Sequence, residues 1–144
     1  MQTLLFLDIS GVLYCRNCED HACNHLPNLR RIVQTLGCDI VLTTSFRFDE
    51  RFKASLRKSF AEHGIPAWIG ATPDLHGERW TEIQRWVDDH DASDHRLVII
   101  DDRPDADLAT NVPDAYHCHF FWSDPDTGLD VALTASVLSL ADKA

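Results

Sequence analysis

The chain has no apolar run long enough to cross a membrane. It also has no basic segment followed by an apolar stretch and a cleavage site, since the first apolar run, Leu4 to Leu7, is too short for one. Neither a membrane-spanning nor a secreted protein is expected, and the reading is cytoplasmic. Positive charge is scarce: 13 Lys and Arg stand against 23 Asp and Glu, a net charge of −10. That argues against a broad nucleic-acid or membrane-binding face, because both need phosphate-neutralising cations, but it leaves room for a small basic pocket. There is no internal repeat, linker or low-complexity segment, so residues 1–144 are expected to form one domain. The five cysteines (Cys15, Cys18, Cys23, Cys38, Cys118) are an odd number and read as reduced thiols.

What is present is ordinary for a globular protein: 44% apolar and 25% charged residues over 144 positions, enough to bury a core without disulfide support. Apolar runs alternate with helical periodicity. Leu4–Leu7, Ile40–Leu42 and Leu97–Ile100 read as strands buried on both faces, as in a parallel sheet. A short strand is expected over 65–70 and a fifth over 115–122. Leu26, Leu29, Ile32, Val33 and Leu36 recur at helical spacing, with Pro27 in the first turn and Gly37 as C-cap. Further helices are predicted over 49–63 (Asp49 as N-cap), 79–90 and 129–140, and a short one over 105–109. Strands alternating with helices give an α/β fold: a five-stranded parallel sheet in a three-layer α/β/α sandwich.

Two strands end in acid. The first runs into Asp8, with Gly11 three residues on; the other runs into the pair Asp101-Asp102. Open parallel sheets bind ligands beyond the carboxyl ends of their strands. Adjacent carboxylates repel one another, and a cation between them and a third acid relieves that repulsion. Strand 39–45 ends in the hydroxyls Thr43, Thr44 and Ser45, next to Arg47. Arg79 opens the helix before the Asp101 strand. The segment Cys15-x-x-Cys18-x4-Cys23-x-His25, with His21 inside it, carries zinc-ligand types, but its spacing is poor for zinc and a loop of free thiols is the favoured reading. His117-x-His119 reads as edge-strand or core histidines.

Asp8-Ile9-Ser10-Gly11-Val12 resembles the first motif of the haloacid dehalogenase (HAD) superfamily, an apolar strand followed by Asp-x-Asp-Gly-Thr/Val. Thr44, Arg79 and Asp101-Asp102 match its second, third and fourth motifs in order, with Ser45 and Thr43 as alternatives for the second and Arg47 for the third. The runs Val41–Arg47, Gly70-x-Thr72, Arg79-x-x-Glu82-Ile83-x-x-Trp86 and Thr127-Gly128-Leu129 are similar to small capless HAD domains, including ones attached to RNA-repair proteins. The resemblance implies a Rossmann-like HAD core, without a large cap domain, in which residues 15–25 form a flap over an open site. It implies Asp8 as nucleophile, Thr44 and Arg79 as phosphoryl-charge stabilisers, and Gly11, Ser45 and Arg47 as substrate-binding residues. It further implies Mg²⁺ on Asp8, Asp101, Asp102 and the Ser10 backbone carbonyl, with Asp105 supporting the site. The activity implied is phosphohydrolysis through an aspartyl-phosphate, on a phosphorylated small molecule or macromolecule.

Ser10 departs from the pattern. An acid at this place protonates the leaving oxygen, and a serine hydroxyl cannot do so near neutral pH. General acid–base help is worth roughly 10²–10⁴-fold in rate, so turnover is expected to be slow or limited to good leaving groups such as acyl phosphates and phosphoramidates. Two alternatives stay open: a catalytically reduced module that binds a phosphorylated ligand or protein, and a metal-independent dehalogenase. The Asp101-Asp102 pair speaks against the second.

Overall fold

The computed structural model describes residues 2–16, 25–107 and 117–142. Five strands, β1 (Thr3–Leu7), β2 (Asp39–Leu42), β3 (Gly70–Ala71), β4 (Arg96–Asp101) and β5 (His117–Trp122), form one all-parallel sheet in the order β3-β2-β1-β4-β5. Four helices accompany them among the described residues: α1 (Leu26–Leu36), α2 (Glu50–Glu62), α3 (Arg79–Asp89) and α4 (Val131–Leu138). This is a small α/β core of Rossmann-like type.

The run Leu4-Leu5-Phe6-Leu7 is apolar throughout because successive side chains of a strand point to opposite faces and both faces here are covered. Leu5 and Leu7 pack with Leu29, Ile32, Leu56, Phe60 and Val137 beneath α1, α2 and α4. Leu4 and Phe6 pack with Trp80, Ile83, Trp86 and Val87 of α3. The Phe6 and Trp86 rings meet edge to face, with centroids 5.7 Å apart. The sequence-expected caps are in place: Pro27 sits in the first turn of α1, Gly37 takes the left-handed C-cap, and Asp49 accepts from the N–H groups of Arg51 and Phe52.

Three element boundaries differ from expectation. β3 is two residues rather than six: Pro66 lacks an N–H, and pairing is confined to Val41–Gly70 and Leu42–Ala71, flanked by single bonds from Ile69 N–H to Ile40 O and from Thr72 N–H to Leu42 O. β2 stops at Leu42, and Thr43-Thr44 leads into a 3-10 turn, Ser45–Phe48, that Thr44 caps by accepting from Phe46 N–H. The segment after β4 forms a 3-10 turn, Pro104–Ala106, in place of the start of a helix; residues 108–116, with the rest of that expected helix and the first two residues of the expected fifth strand, lie outside the described residues.

Register sets the site. Leu7 pairs with Leu42 on one side and Ile100 on the other, so Asp8, Thr43 and Asp101 follow at one level. Phe6 is fully buried one pleat below Asp8. Phe6→Ala is expected to lower unfolding free energy by about 3–5 kcal/mol, measured as an earlier midpoint in urea at unchanged slope.

Candidate active site at the carboxyl edge of the sheet

Asp8 leaves β1 almost fully buried. Its N–H still bonds Ile100 O at 3.1 Å, and its Oδ1 accepts the Ile9 N–H at 2.9 Å. The chain then turns tightly: Ile9 O accepts from the N–H groups of Val12, Leu13 and Tyr14. Gly11 makes that turn at φ 79°, and a Cβ there would strike the Asp102 carboxylate. Glycine is therefore required both for the backbone angle and for the close approach. Ser123, just past β5, ties the turn down through Oγ to Gly11 O at 2.6 Å, and its N–H reaches Asp101 O at 2.8 Å.

Asp8, Asp101 and Asp102 each offer an oxygen within 4.8 Å of the others. Asp101 has no exposed surface. Its Oδ1 accepts the Arg103 N–H at 3.0 Å, whereas its Oδ2 has no hydrogen-bond partner. Arg79 Nε stands 3.1 Å from that oxygen as an ion pair, outside hydrogen-bond alignment, and Arg79 Nη2 stands 3.8 Å from Asp8 Oδ2. One guanidinium thus pairs with two of the three carboxylates. Burial, reinforced by the Asp101 charge and by the Asp102 carboxyl, pushes the Asp8 carboxyl up to about 8 despite the pull of Arg79. Burial likewise pushes Asp101 up to about 6 against the pull of Arg79 and the Arg103 N–H. A buried oxygen without a hydrogen bond, among acids with too little positive charge, suits a hard divalent cation, which takes carboxylate oxygens and retains waters.

A cavity of about 310 Å³ opens beside this cluster, and Asp8, Ser10, Thr44, Ser45, Arg79 and Asp102 all line it. The structure therefore brings together six of the sequence-nominated residues on one wall, with Asp101 beneath. Thr43, the alternative to Thr44, is fully buried and its Oγ1 has no hydrogen-bond partner. Gly11 lines a neighbouring cavity of about 280 Å³ with Ser10 and Asp102. Arg47 lies elsewhere. Its guanidinium donates to the carbonyls of Thr43 (3.4 Å), Thr44 (2.9 Å), Thr72 (2.6 Å) and Pro73 (2.9 Å) and pairs with Glu82 at 3.3 Å. These acceptors match its five N–H donors in number, so Arg47 braces the wall and borders only an adjoining cavity of about 180 Å³. Asp105 stands behind Arg79: Oδ2 accepts the Arg79 backbone N–H at 2.7 Å, and both oxygens hold the Arg103 guanidinium at 2.9 Å.

Sequence reasoning missed Arg103, Ser123 and Phe46. Arg103 lines the main cavity and is signalled by its place directly after the acid pair; Phe46 lines it too, and Ser123 has no signal beyond ending a strand. The thiol reading needs correction. Cys15 is disulfide-bonded, its partner outside the described residues, whereas Cys38 and Cys118 are free; an odd cysteine count permits a pair beside free thiols. Its Sγ lies 3.3 Å from His25 Nε2, and a disulfide sulfur is no thiolate ligand for zinc. The other candidate ligands, Cys18, His21 and Cys23, and most of the expected flap lie outside the described residues; Arg16, at its start, bonds Pro125 O and pairs with Asp126. No helix among the described residues is long and apolar enough to cross a membrane.

The family described as "HAD domain in Swiss Army Knife RNA repair proteins" matches residues 4–133, which takes in every site residue named above. No curated protein and no solved structure matches the chain.

The raised Asp8 and Asp101 carboxyls carry a sign. The folded chain holds protons that the unfolded chain, at 3.8, releases, so their stabilisation is complete below about pH 4 and is lost as pH climbs toward 8. Without divalent cations the melting temperature is expected to fall between pH 5 and 8. Added Mg²⁺ should raise it more at pH 8 than at pH 5, because cation binding displaces those protons, and Asp101→Asn should abolish the Mg²⁺ effect; thermal melts across this grid check each point.

Proposed function

The chain belongs to the HAD domains of Swiss Army Knife RNA repair proteins, and from that membership we propose that it is an Mg²⁺-dependent phosphohydrolase working through an aspartyl-phosphate on Asp8. The observation that carries the reading is the buried Asp8 at the end of the central strand, with Arg79 and two further acids close by and one small cavity beside it. Asp8, Asp101 and Asp102, with the Ser10 carbonyl, are the proposed metal ligands. A bound Mg²⁺ supplies charge neutralisation for the carboxylates and the phosphoryl oxygens.

In the proposed reaction an Asp8 Oδ attacks phosphorus, and the bond from phosphorus to the leaving oxygen breaks with its electron pair on that oxygen. Arg79 favours the attacking carboxylate form of Asp8 and remains beside the phosphoryl group as charge spreads over its oxygens. Thr44 and Ser45 line the same space. Water then attacks phosphorus, the Oδ–P bond breaks, and phosphate leaves with Asp8 restored. Ser10 is exposed on the cavity wall and offers no acidic proton near neutral pH, so the leaving oxygen takes its proton from solvent. This favours leaving groups that depart without strong acid help.

The family's name supports phosphate-bearing ends of RNA as the substrate class. The net charge of −10 suits contact with a strand end better than with a long tract. Ser10 also favours a second reading, a module that binds a phosphorylated ligand or protein without turning it over.

Phosphate release from a panel of phosphoesters, acyl phosphates and phosphoramidates tests the proposal. Release is expected to require Mg²⁺, to stop with EDTA, and to vanish in Asp8→Asn; release that survives Asp8→Asn overturns the assignment. Ser10→Asp is expected to raise the rate on poor leaving groups, by up to roughly 10²–10⁴-fold, and hardly at all on acyl phosphates. A large loss on every compound would instead give Ser10 a catalytic part of its own.

A further inference from the structure

Exposed large apolar side chains are few among the described residues, and two of them, Phe46 and Phe48, sit on the single 3-10 turn that rims the acid cavity. Phe46 is 50% exposed and Phe48 55%, while Arg47 between them is 5% exposed. The turn is held this way by the Arg47 guanidinium, drawn inward onto the carbonyls of residues 43, 44, 72 and 73 and onto Glu82. Both rings are fixed from one side. Phe46 lies against Phe52, with centroids 5.3 Å apart and planes inclined by 32°. The Arg47 guanidinium carbon stands 4.7 Å from the Phe48 ring centre. Phe46 walls the cavity that holds Asp8; Phe48 walls the adjoining one, which shares Ser45, Arg79 and Arg103 with the first.

Full burial of a phenylalanine side chain is worth about 1.5–3 kcal/mol, and here two on one turn stay about half exposed. Their position relates them to the reaction. Asp8 is almost fully buried where it lines the cavity, and in-line displacement sends the leaving oxygen away from this buried nucleophile, toward the more exposed lining that includes Phe46. A rigid ring, backed on one side and open on the other, is a stacking surface for a flat group. Arg103, half exposed at the same rim, adds positive charge suited to a neighbouring phosphate.

We propose that Phe46 and Phe48 form a stacking subsite for a nucleobase carried by the leaving group, so that the site selects a nucleotide end over other phosphoesters. This rests on the phosphohydrolase reading. A ring joined directly to the scissile oxygen, as in an aryl phosphate, lies deeper than a base held away by its sugar, so aryl phosphates should profit less.

The test compares wild type, Phe46→Ala, Phe46→Trp and Phe48→Ala, with Ile69→Ala as an exposed apolar control away from the site. The probes are adenosine 3′- and 5′-monophosphate, ribose 5-phosphate and phenyl phosphate. Phe46→Ala is expected to lose about tenfold or more in kcat/KM on the better adenosine phosphate, through KM. That loss should exceed the losses on ribose 5-phosphate and phenyl phosphate at least fivefold, Phe46→Trp should restore most of it, and Phe48→Ala should show a smaller loss of the same kind. Equal losses on all probes, or none, overturn the subsite; a matching loss on phenyl phosphate replaces the nucleobase with an aryl group. Phe46→Leu gives the same comparison if circular dichroism shows Phe46→Ala unfolded. Calorimetric binding of adenosine 5′-monophosphate and ribose 5-phosphate to Asp8→Asn separates the two readings. A preference for the nucleotide that Phe46→Ala removes, in a protein that releases phosphate neither from these probes nor from acyl phosphates and phosphoramidates, keeps the subsite and ends the phosphohydrolase reading. No preference in either binding or turnover ends the subsite.

Discussion

Three carboxylates at neighbouring strand ends, with one guanidinium between them, set the terms for everything around them. Parallel pairing places Asp8 and Asp101 at one level, and the turn at Gly11 brings Asp102 into the same space. Water cannot screen these charges because Asp8 and Asp101 are buried. The surrounding structure responds with fixed donors: the Ile9 N–H on Asp8, the Arg103 N–H on Asp101, and Arg79 across both. What it leaves uncompensated is negative charge concentrated on one short edge of the sheet.

The three arginines of this edge have different work, decided by what saturates each. Arg79 faces the acids and is positioned from behind, where Asp105 grips its backbone N–H. Arg103 is held by both oxygens of the same Asp105 but reaches solvent. The two are therefore mechanically coupled through one carboxylate, and a shift in the 3-10 turn at 104–106 moves both. Arg47 is consumed by backbone carbonyls from two loops and by Glu82, and it acts as a pin between the end of β2 and the segment after β3. A lysine could not replace it, because one ammonium cannot span acceptors spread around a planar fork.

Much of the fold is readable in the sequence, since burial on both faces forces unbroken apolar runs in β1 and β4, and their abrupt end in Asp8 and Asp101 marks the sheet edge. The helices declare themselves by spacing and by caps such as Pro27, Gly37 and Asp49. β3 was overextended because Ile65 and Trp68 look strand-like in isolation, whereas Ile65 is buried in the core and Trp68 packs on Phe60. For the site, residue types at strand ends mark the acids and Thr44, while Arg79 is nominated from its place at the start of a helix by the family resemblance. The bracing role of Arg47 was hidden, because it depends on carbonyls 25 and 26 residues away that meet it only after folding. The Cys15 disulfide was hidden too, since cysteine count and spacing leave pairing open.

The bond from Ser123 to Gly11 spans 112 positions of the chain. The loop that carries the nucleophile lies near the start of the sequence, but the hydroxyl that clamps it comes from beyond the last strand. During synthesis β1, β2 and β4 are all made before Ser123, so the clamp is the later addition to a set of acids already in the chain. The site is thus a property of the finished sheet: its last strand to be made is the one that locks its first turn.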